Sequence, residues 1–260
     1  MTDAKGYVDA NFLAAAAKLI RPVKTRSYEL MQLQAGQRVL DVGCGPGTDT
    51  IPLAEHVGAM GHIVGIDHDA DMIAKAEQQA REAGVRTWVT HHRAAATSLP
   101  FADRFFDACR SERLFQHLRE PDRAFVEMRR VTKPDGWVVV IDTDTATVSI
   151  DSDEIDLERR LCRFYSDHRV WNGYAGRQLY RRFKQHDMRD IYIEIMPVTI
   201  TDYGLWRYID LSDTTEREAV AAGVLTQEEL QRYRENLEQV AAADSFFAQF
   251  NLVMVAGRRP

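Results

Sequence analysis

The amino-acid sequence of 260 residues predicts an α/β fold built on a doubly wound, mostly parallel sheet. Between residues 36 and 145, continuous apolar runs alternate with segments whose apolar residues recur at helical spacing. A continuous apolar run is typical of a strand that is covered on both faces. The regular alternation of such strands with helices favours a parallel sheet with right-handed crossovers.

The boundaries of these elements carry their own signals. The helix after the second strand begins at Asp69, a good N-cap residue, and ends before Gly84. Pro121 suits the first turn of a later helix, and KPDG is a turn sequence. The five strands predicted here are QRVLDVG, HIVGID, TWVTHH, FFDAC and WVVVID.

Helical segments precede and follow this region. At the N-terminus apolar residues recur at helical spacing, and Pro22 opens a second helix. Further helices are predicted over 151–168 and 176–185, and Thr226 with Glu229 fits a capping box. DIYIEIMPV alternates as an antiparallel strand does, and FNLVMVAGR predicts a last strand.

Composition and charge exclude several classes of protein. With 33 basic and 39 acidic residues the net charge is −6, which argues against a dedicated nucleic-acid binder. No apolar run approaches the roughly 20 residues of a membrane span, and the N-terminus lacks a signal-peptide pattern. Three scattered cysteines favour neither disulfides nor zinc, and His91 and His92 face opposite sides of a strand. We expect a cytoplasmic protein without a metal.

The segment VLDVGCGPGTD predicts a ligand-binding loop. Gly43, Gly45 and Gly47 follow a strand and open a helix, where glycines let a ligand approach the backbone. Asp67 ends the second strand at a spacing typical of an acid that meets ribose hydroxyls. Asp41 would repel a dinucleotide pyrophosphate and attract a cation. Taken singly, the glycines also suit a plain tight turn, but together these residues favour a ribosyl ligand with an ammonium and a sulfonium.

These motifs, together with SLPFADRFFD and RRVTKPDGWVVVID, resemble the class I S-adenosylmethionine-dependent methyltransferases, especially the ubiquinone and menaquinone methyltransferases. The resemblance covers about residues 36–145. It implies a Rossmann-like sheet of seven strands, with FNLVMVAGR antiparallel beside the fifth. It also implies S-adenosylmethionine as the cofactor and S-adenosylhomocysteine as the product.

The resemblance assigns the loop residues to the methionine part of the cofactor, Asp67 to the ribose, and the end of the fourth strand to the sulfonium. At the adenine loop the acid common in the family is missing, which leaves the backbone, His92 or Ser98 as substitutes. The implied cofactor-binding residues are Asp41, Gly43, Cys44, Gly45, Gly47, Asp67, His68, Met72, Ala95, Ala96, Ser111 and Glu112.

The sequence predicts four parts. We expect residues 1–35 to form an N-terminal helical cap and residues 36–145 to form the S-adenosylmethionine-binding core. Residues 146–187 are predicted to form a helical insertion that covers the substrate, and residues 188–260 to complete the sheet.

Methyl transfer from a sulfonium is an in-line displacement, for which the protein must hold a nucleophile and exclude water. A base is required only if the nucleophile arrives protonated or becomes a carbon acid. His117, just past the fourth strand where the family faces its substrate, is the candidate base, and packing beneath the next helix is the alternative.

The candidate substrate-binding residues combine aromatic rings with a few polar groups, as pockets for flat organic molecules do. Tyr165 stands in the same segment as several of them, and core packing is the alternative for most. Arg177, near a helix start, would hold an anionic or carbonyl group of the substrate. The candidates are Tyr7, Phe12, Arg113, Trp171, Asn172 and Arg177.

We therefore predict a methyltransferase that acts on O, N or C of a small aromatic, quinol-like or secondary-metabolite acceptor. Its partner is a small molecule rather than nucleic acid or membrane, and a homodimer is left open. One alternative is a non-catalytic module that binds S-adenosylmethionine. The other is a nicotinamide-dependent oxidoreductase, against which Asp41 argues.

Overall fold

The structure is a computed structural model that describes residues 19–210 and 212–260. Tyr7 and Phe12, which were predicted to contribute to the substrate site, lie outside the described residues.

Seven strands form one sheet in the order β3-β2-β1-β4-β5-β7-β6. The first five run parallel, and β7 lies between β5 and β6 and pairs antiparallel with both. This confirms the predicted fold class and the insertion of the last strand beside the fifth. The strands are β1 Arg38–Val42, β2 His62–Asp67, β3 Val89–Arg93, β4 Phe106–Glu112, β5 Thr132–Ile150, β6 Arg189–Ile200 and β7 Ala248–Arg258.

The helices largely follow the predicted capping signals. The Asp69 carboxylate accepts from the backbone N–H groups of Asp71 and Met72, and the Thr226–Glu229 capping box is present. Two helices were not predicted, α7 and α8. In the described part of the chain the helices are α1 Arg21–Leu30, α2 Thr50–Val57, α3 Ala70–Glu82, α4 Pro121–Val131, α5 Ile155–His168, α6 Ala175–Gln185, α7 Tyr203–Ile209, α8 Ser212–Ala221 and α9 Gln227–Ala242.

Strand β5 is much longer than the predicted WVVVID. It continues to Ile150 because β7 pairs with it from Trp137 to that residue. It also includes the KPDG segment, where Asp135 has a φ of 61° and the register with β4 shifts. The predicted strand was therefore too short, because pairing with a strand distant in sequence extends β5 beyond residue 145.

Two apolar cores, one on each face of the sheet, explain the continuous apolar strands. Along β5, Val139 and Ile141 enter one core, whereas Val138 and Val140 enter the other. Successive strand residues point to opposite faces, so both sets must be apolar when helices cover both faces. The carboxyl ends of β1, β2, β4 and β5 consequently meet at one uncovered edge of the sheet, where ligands bind in folds of this kind.

Candidate functional site

A cavity of about 240 Å³ opens at the carboxyl ends of these strands. One wall is formed by the loop after β1 and the ends of β2 and β4, and the opposite wall by α5 and α7. The predicted cofactor-binding residues that line it are Asp41, Gly43, Cys44, Gly45, Asp67, His68, Met72 and Glu112.

The glycine loop is held close to its neighbours. The N–H groups of Gly43 and Cys44 both donate to the Ile66 carbonyl oxygen, at 2.8 and 2.9 Å. Gly43 has a φ of 76°, and a Cβ there would lie 3.1 Å from a methyl carbon of Leu114. Glycine is therefore favoured both by the backbone conformation and by the close packing.

Asp67 ties this loop to the end of β2. Its Oδ2 accepts from the N–H of Gly45, and its Oδ1 accepts from the N–H of Asp69, both at 3.0 Å. The Nδ1 atom of His68 lies 3.2 Å from the same Oδ1, and this hydrogen bond raises the pKa of His68. Oδ2 accepts only from Gly45 and keeps a second lone pair, so Asp67 can still accept from a hydroxyl in the cavity.

A buried charge cluster lies beneath the loop. Arg110 is fully buried, and its guanidinium lies 3.2 Å from Asp41, 3.0 Å from Asp49 and 3.0 Å from Glu112. Lys24, from α1, donates to Asp49 at 2.6 Å and to Glu112 at 2.8 Å. This cluster was not predicted from the sequence. Its only local signal was Arg110 directly after the apolar pair Ala108 and Cys109, since an arginine that continues a buried strand needs charged partners.

The cluster changes the interpretation of Asp41. Its Oδ1 is paired with Arg110, so the negative charge does not face the cavity freely. Its Oδ2, however, is buried without a hydrogen-bond partner. Burial, opposed by Arg110, raises the pKa of Asp41 to about 7. The cavity wall therefore offers one unsatisfied acceptor that suits a donor group such as an ammonium.

The fourth strand leads into a short turn that carries His117. This 3₁₀ turn, Phe115–His117, is held by Asp142, whose Oδ2 accepts from the N–H groups of Phe115 and Gln116 at 2.7 and 3.2 Å. Burial raises the pKa of Asp142 to about 7, although the amide donors oppose the shift. His117 and Gln116 both line the cavity. The structure thus places His117 at the cavity wall, where a base for the substrate was expected.

The wall opposite the glycine loop is mostly apolar and aromatic. Arg113, directly after β4, is the only candidate substrate-binding residue among the described ones that lines the cavity, and Tyr165 of α5 lines it as well. Most of this wall was missed, because α5, α7 and β7 are far apart in sequence and only the folded chain brings them together. The remaining residues of this wall include Thr143, Thr145, Val148, Arg169, Val170, Trp206, Ile209, Asp210 and Phe250.

Three candidate substrate residues make other contacts and do not line this cavity. Arg177 donates to Asp144 at 2.6 Å, and Asn172 donates to Gln178 at 2.8 Å. The Trp171 ring packs against the Arg119 guanidinium, 4.0 Å from the ring centroid.

Four candidate cofactor residues also lie outside the cavity wall. Gly47 contacts α3, where a Cβ would lie 3.1 Å from that of Ala76. Ala95 forms an isolated bridge with Ser98 in the loop after β3, next to Ala96. Ser111 is buried within β4.

Within 19–210 and 212–260, every helix is too short or too polar to cross a membrane. The same residues contain no group of three or more His, Cys, Asp or Glu side chains placed to hold a metal ion.

Comparison with known proteins identifies the family. A family model described as a methyltransferase domain matches residues 33–191. The chain therefore belongs to the methyltransferase domain family and has the Rossmann-like fold of the class I S-adenosylmethionine-dependent methyltransferases.

Individual relatives agree with this assignment. An uncharacterized 37.1 kDa protein in transposon TN4556 of Streptomyces fradiae is 32% identical over 241 residues, which are 90% of this chain and 67% of that protein. The demethylmenaquinone methyltransferase of Anoxybacillus flavithermus is 36% identical over 118 residues, which are 45% of this chain and 49% of that enzyme. The chain thus aligns with about half the length of this curated enzyme. Among solved structures, the YcgJ protein from Bacillus subtilis has a TM-score of 0.65 at 18% identity, covering 92% of this chain and 98% of that one.

Proposed function

We propose that this methyltransferase transfers a methyl group from S-adenosylmethionine to O, N or C of a small, largely apolar acceptor. The observation that carries the proposal is the continuity of the cavity. One wall carries the glycine loop and Asp67, and the other is mostly apolar and aromatic. A donor and an acceptor bound in one cavity can be held together with water excluded, which is the main requirement of this displacement.

The residues of the first wall fit the proposed cofactor. The N–H of Gly45 donates to Oδ2 of Asp67, and the remaining lone pair of this oxygen would accept from a ribose hydroxyl. The unpartnered Oδ2 of Asp41 would accept from the ammonium of the methionine part. When bound, S-adenosylmethionine supplies a methyl group that its sulfonium activates for displacement. The protein residues then need only bind, orient and desolvate the acceptor.

If the methyl acceptor binds in its protonated form, His117 is the proposed base that takes up its proton. Asp142 holds the backbone of its turn, so the imidazole is carried on a fixed segment at the cavity wall. A histidine suits this task because its ordinary pKa lies close to neutral pH. Its role as a base stays a proposal.

The cofactor assignment is tested by calorimetric titration with S-adenosylhomocysteine. Asp67→Ala should weaken binding at least about tenfold, because charge-assisted hydrogen bonds of about 1.5–3 kcal/mol are lost. Asp71→Ala is the matched control, since Asp71 is an exposed acid in the first turn of α3. Equal affinities of the two variants would remove Asp67 from the site, and no binding by the wild type would refute the proposal.

Turnover is tested with methyl-labelled S-adenosylmethionine and a panel of phenols, quinols and amines. His117→Asn should lower turnover while leaving the affinity for S-adenosylhomocysteine unchanged. Binding without turnover of any acceptor would instead favour the non-catalytic module. Membership in the methyltransferase family argues against the nicotinamide-dependent alternative. The four-part division of the chain, a cytoplasmic location and a homodimer stay predictions.

A further inference from the structure

The part of the cavity that would hold the methyl acceptor is lined mostly by apolar side chains, but it also contains hydrogen-bond donors. Val148, Val170, Trp206, Ile209 and Phe250 provide apolar surface. Two arginines and a tyrosine, namely Arg113, Arg169 and Tyr165, lie among them.

Arg113 is held in an unusual conformation at the end of β4. Its φ is 50°, a left-handed value that is costly for a residue with a Cβ. Its N–H donates to the Ile141 carbonyl oxygen at 2.8 Å, which fixes the backbone there. The side chain is only 20% exposed, and its Nε is buried without a hydrogen-bond partner. A buried, unsatisfied guanidinium nitrogen requires an explanation.

The acids near Arg113 are already engaged. Glu112 lies 3.6 Å from its Nε, beyond hydrogen-bond distance, and already accepts from Lys24 and Arg110. Asp142 accepts from backbone N–H groups of the turn and of Thr143. Neither carboxylate therefore satisfies the Arg113 guanidinium by a hydrogen bond.

A second guanidinium lines the same cavity. Arg169, directly after α5, donates through one terminal nitrogen to both oxygens of Glu218, while its Nε is buried without a partner. Both arginines are close enough to Tyr165 to favour ionisation of its hydroxyl, although burial dominates and raises the pKa of Tyr165. Asp210 is the acid on this side, and burial raises its pKa to about 7, so that it is only partly ionised near neutral pH.

The part of the cavity that is lined by Arg113, Tyr165 and Arg169 is called the acceptor chamber below. We infer that this chamber binds an oxyanion carried by a flat apolar methyl acceptor, with Arg113 as the anion-binding residue and Arg169 as a second cation. The oxyanion is a carboxylate or an ionised phenol or enol, which share the planar oxygen geometry that a guanidinium recognises. The inference rests on the proposed function, because it names the class of acceptor that the methyltransferase would take. It also transfers to Arg113 the role that the sequence suggested for Arg177.

The test compares three naphthalene probes in calorimetric titrations of the full chain saturated with S-adenosylhomocysteine. Naphthoate carries a carboxylate, naphthol ionises at alkaline pH, and naphthalenemethanol stays neutral. The wild type should bind naphthoate or ionised naphthol at least about tenfold more tightly than naphthalenemethanol. Which of the two anions binds more tightly distinguishes a carboxylate from a phenolate acceptor.

Variants then assign the preference to the arginine. Arg113→Gln should remove at least about tenfold of the anion affinity and leave the affinities for naphthalenemethanol and S-adenosylhomocysteine unchanged. Arg123→Gln, an exposed position on α4 paired with Glu120, should retain the preference. Arg169→Gln provides a second variant should Arg113→Gln not fold.

Three results would overturn the inference: binding of none of the probes, equal affinities in the wild type, or an anion preference that survives in both Arg113→Gln and Arg169→Gln. If the wild type binds S-adenosylhomocysteine but shows no preference, the proposed function stands and only the acceptor class fails. If it does not bind S-adenosylhomocysteine, the proposed function fails, and the probe preference is measured on the protein alone.

Discussion

The buried ammonium of Lys24 is predicted to be one of the most important single groups for stability. Lys24 joins α1 to the sheet through Asp49 on one side and Glu112 on the other. Replacement by methionine keeps the apolar stem but removes the charge, leaving both carboxylates with one cation fewer.

The size of the effect follows from burial. The side chains of Lys24, Asp49 and Glu112 are only 8%, 6% and 6% exposed, so water compensates little for a lost partner. Removing one member of a buried ion pair costs about 3–5 kcal/mol. Because Arg110 still contacts both acids, we expect Lys24→Met to lower the free energy of unfolding by about 3 kcal/mol, near the lower end of that range.

The assay is urea unfolding at neutral pH, with Arg26→Met as the matched control. Arg26 lies two residues further along α1, and its side chain is 37% exposed in pairs with Glu29 and Glu194. Surface pairs contribute about 0–1 kcal/mol, so the control should lose little. Adding Asp49→Asn to Lys24→Met should restore part of the loss, since it removes one uncompensated charge.

A loss for Lys24→Met no larger than that of Arg26→Met would refute the reasoning. It would mean that the cluster is hydrated in solution and that its charges do not depend on one another. A large loss that Asp49→Asn fails to reduce would assign the effect to packing of α1 rather than to charge.

Two further predictions concern the glycine loop and the buried acid of β5. Gly47→Ala should cost about 1–3 kcal/mol, because φ is 87° and the new Cβ would lie 3.1 Å from that of Ala76. Gly84→Ala shares the positive φ but has no atom within 4 Å, so thermal or urea unfolding should show a smaller loss, and equal losses would contradict the contact argument. Asp142 has a folded-state pKa of about 7, above its unfolded value, so its protonated form favours folding at low pH and this contribution is lost as pH rises toward 7. Between about pH 4 and 7, the free energy of unfolding of the wild type should therefore fall with rising pH relative to that of Asp142→Asn, by up to about 1.4 kcal/mol per pH unit. Parallel plots of the free energy of unfolding against pH for the two proteins would contradict this prediction.

The sheet could be predicted from the sequence because its signals are local. The apolar run VVVI in β5 has to be continuous, since alternate residues enter the cores on opposite faces. The N-cap of Asp69 and the capping box of Thr226 depend on residues two or three positions away. Such short-range patterns survive in the sequence whatever the rest of the chain does.

The glycine loop and Asp67 could be predicted for a related reason, because a close backbone approach restricts the residue types at neighbouring positions. The pairing of Asp41 could not. Its partner Arg110 is 69 residues away, and nothing near either residue in sequence indicates the contact. The prediction of a free Asp41 charge was therefore incomplete, although its second oxygen does lack a partner.

The sequence by itself determined the fold class, the strand that carries the glycine loop, and the family. Only the tertiary structure decided which side chains form the acceptor side, bringing Arg113, Tyr165 and Arg169 into one chamber and pairing Arg177 with Asp144 outside it. The physical reason is the separation in sequence over which these interactions act. Backbone conformation and periodic burial act between near neighbours, whereas a cavity wall is assembled from segments that meet only after the sheet has formed.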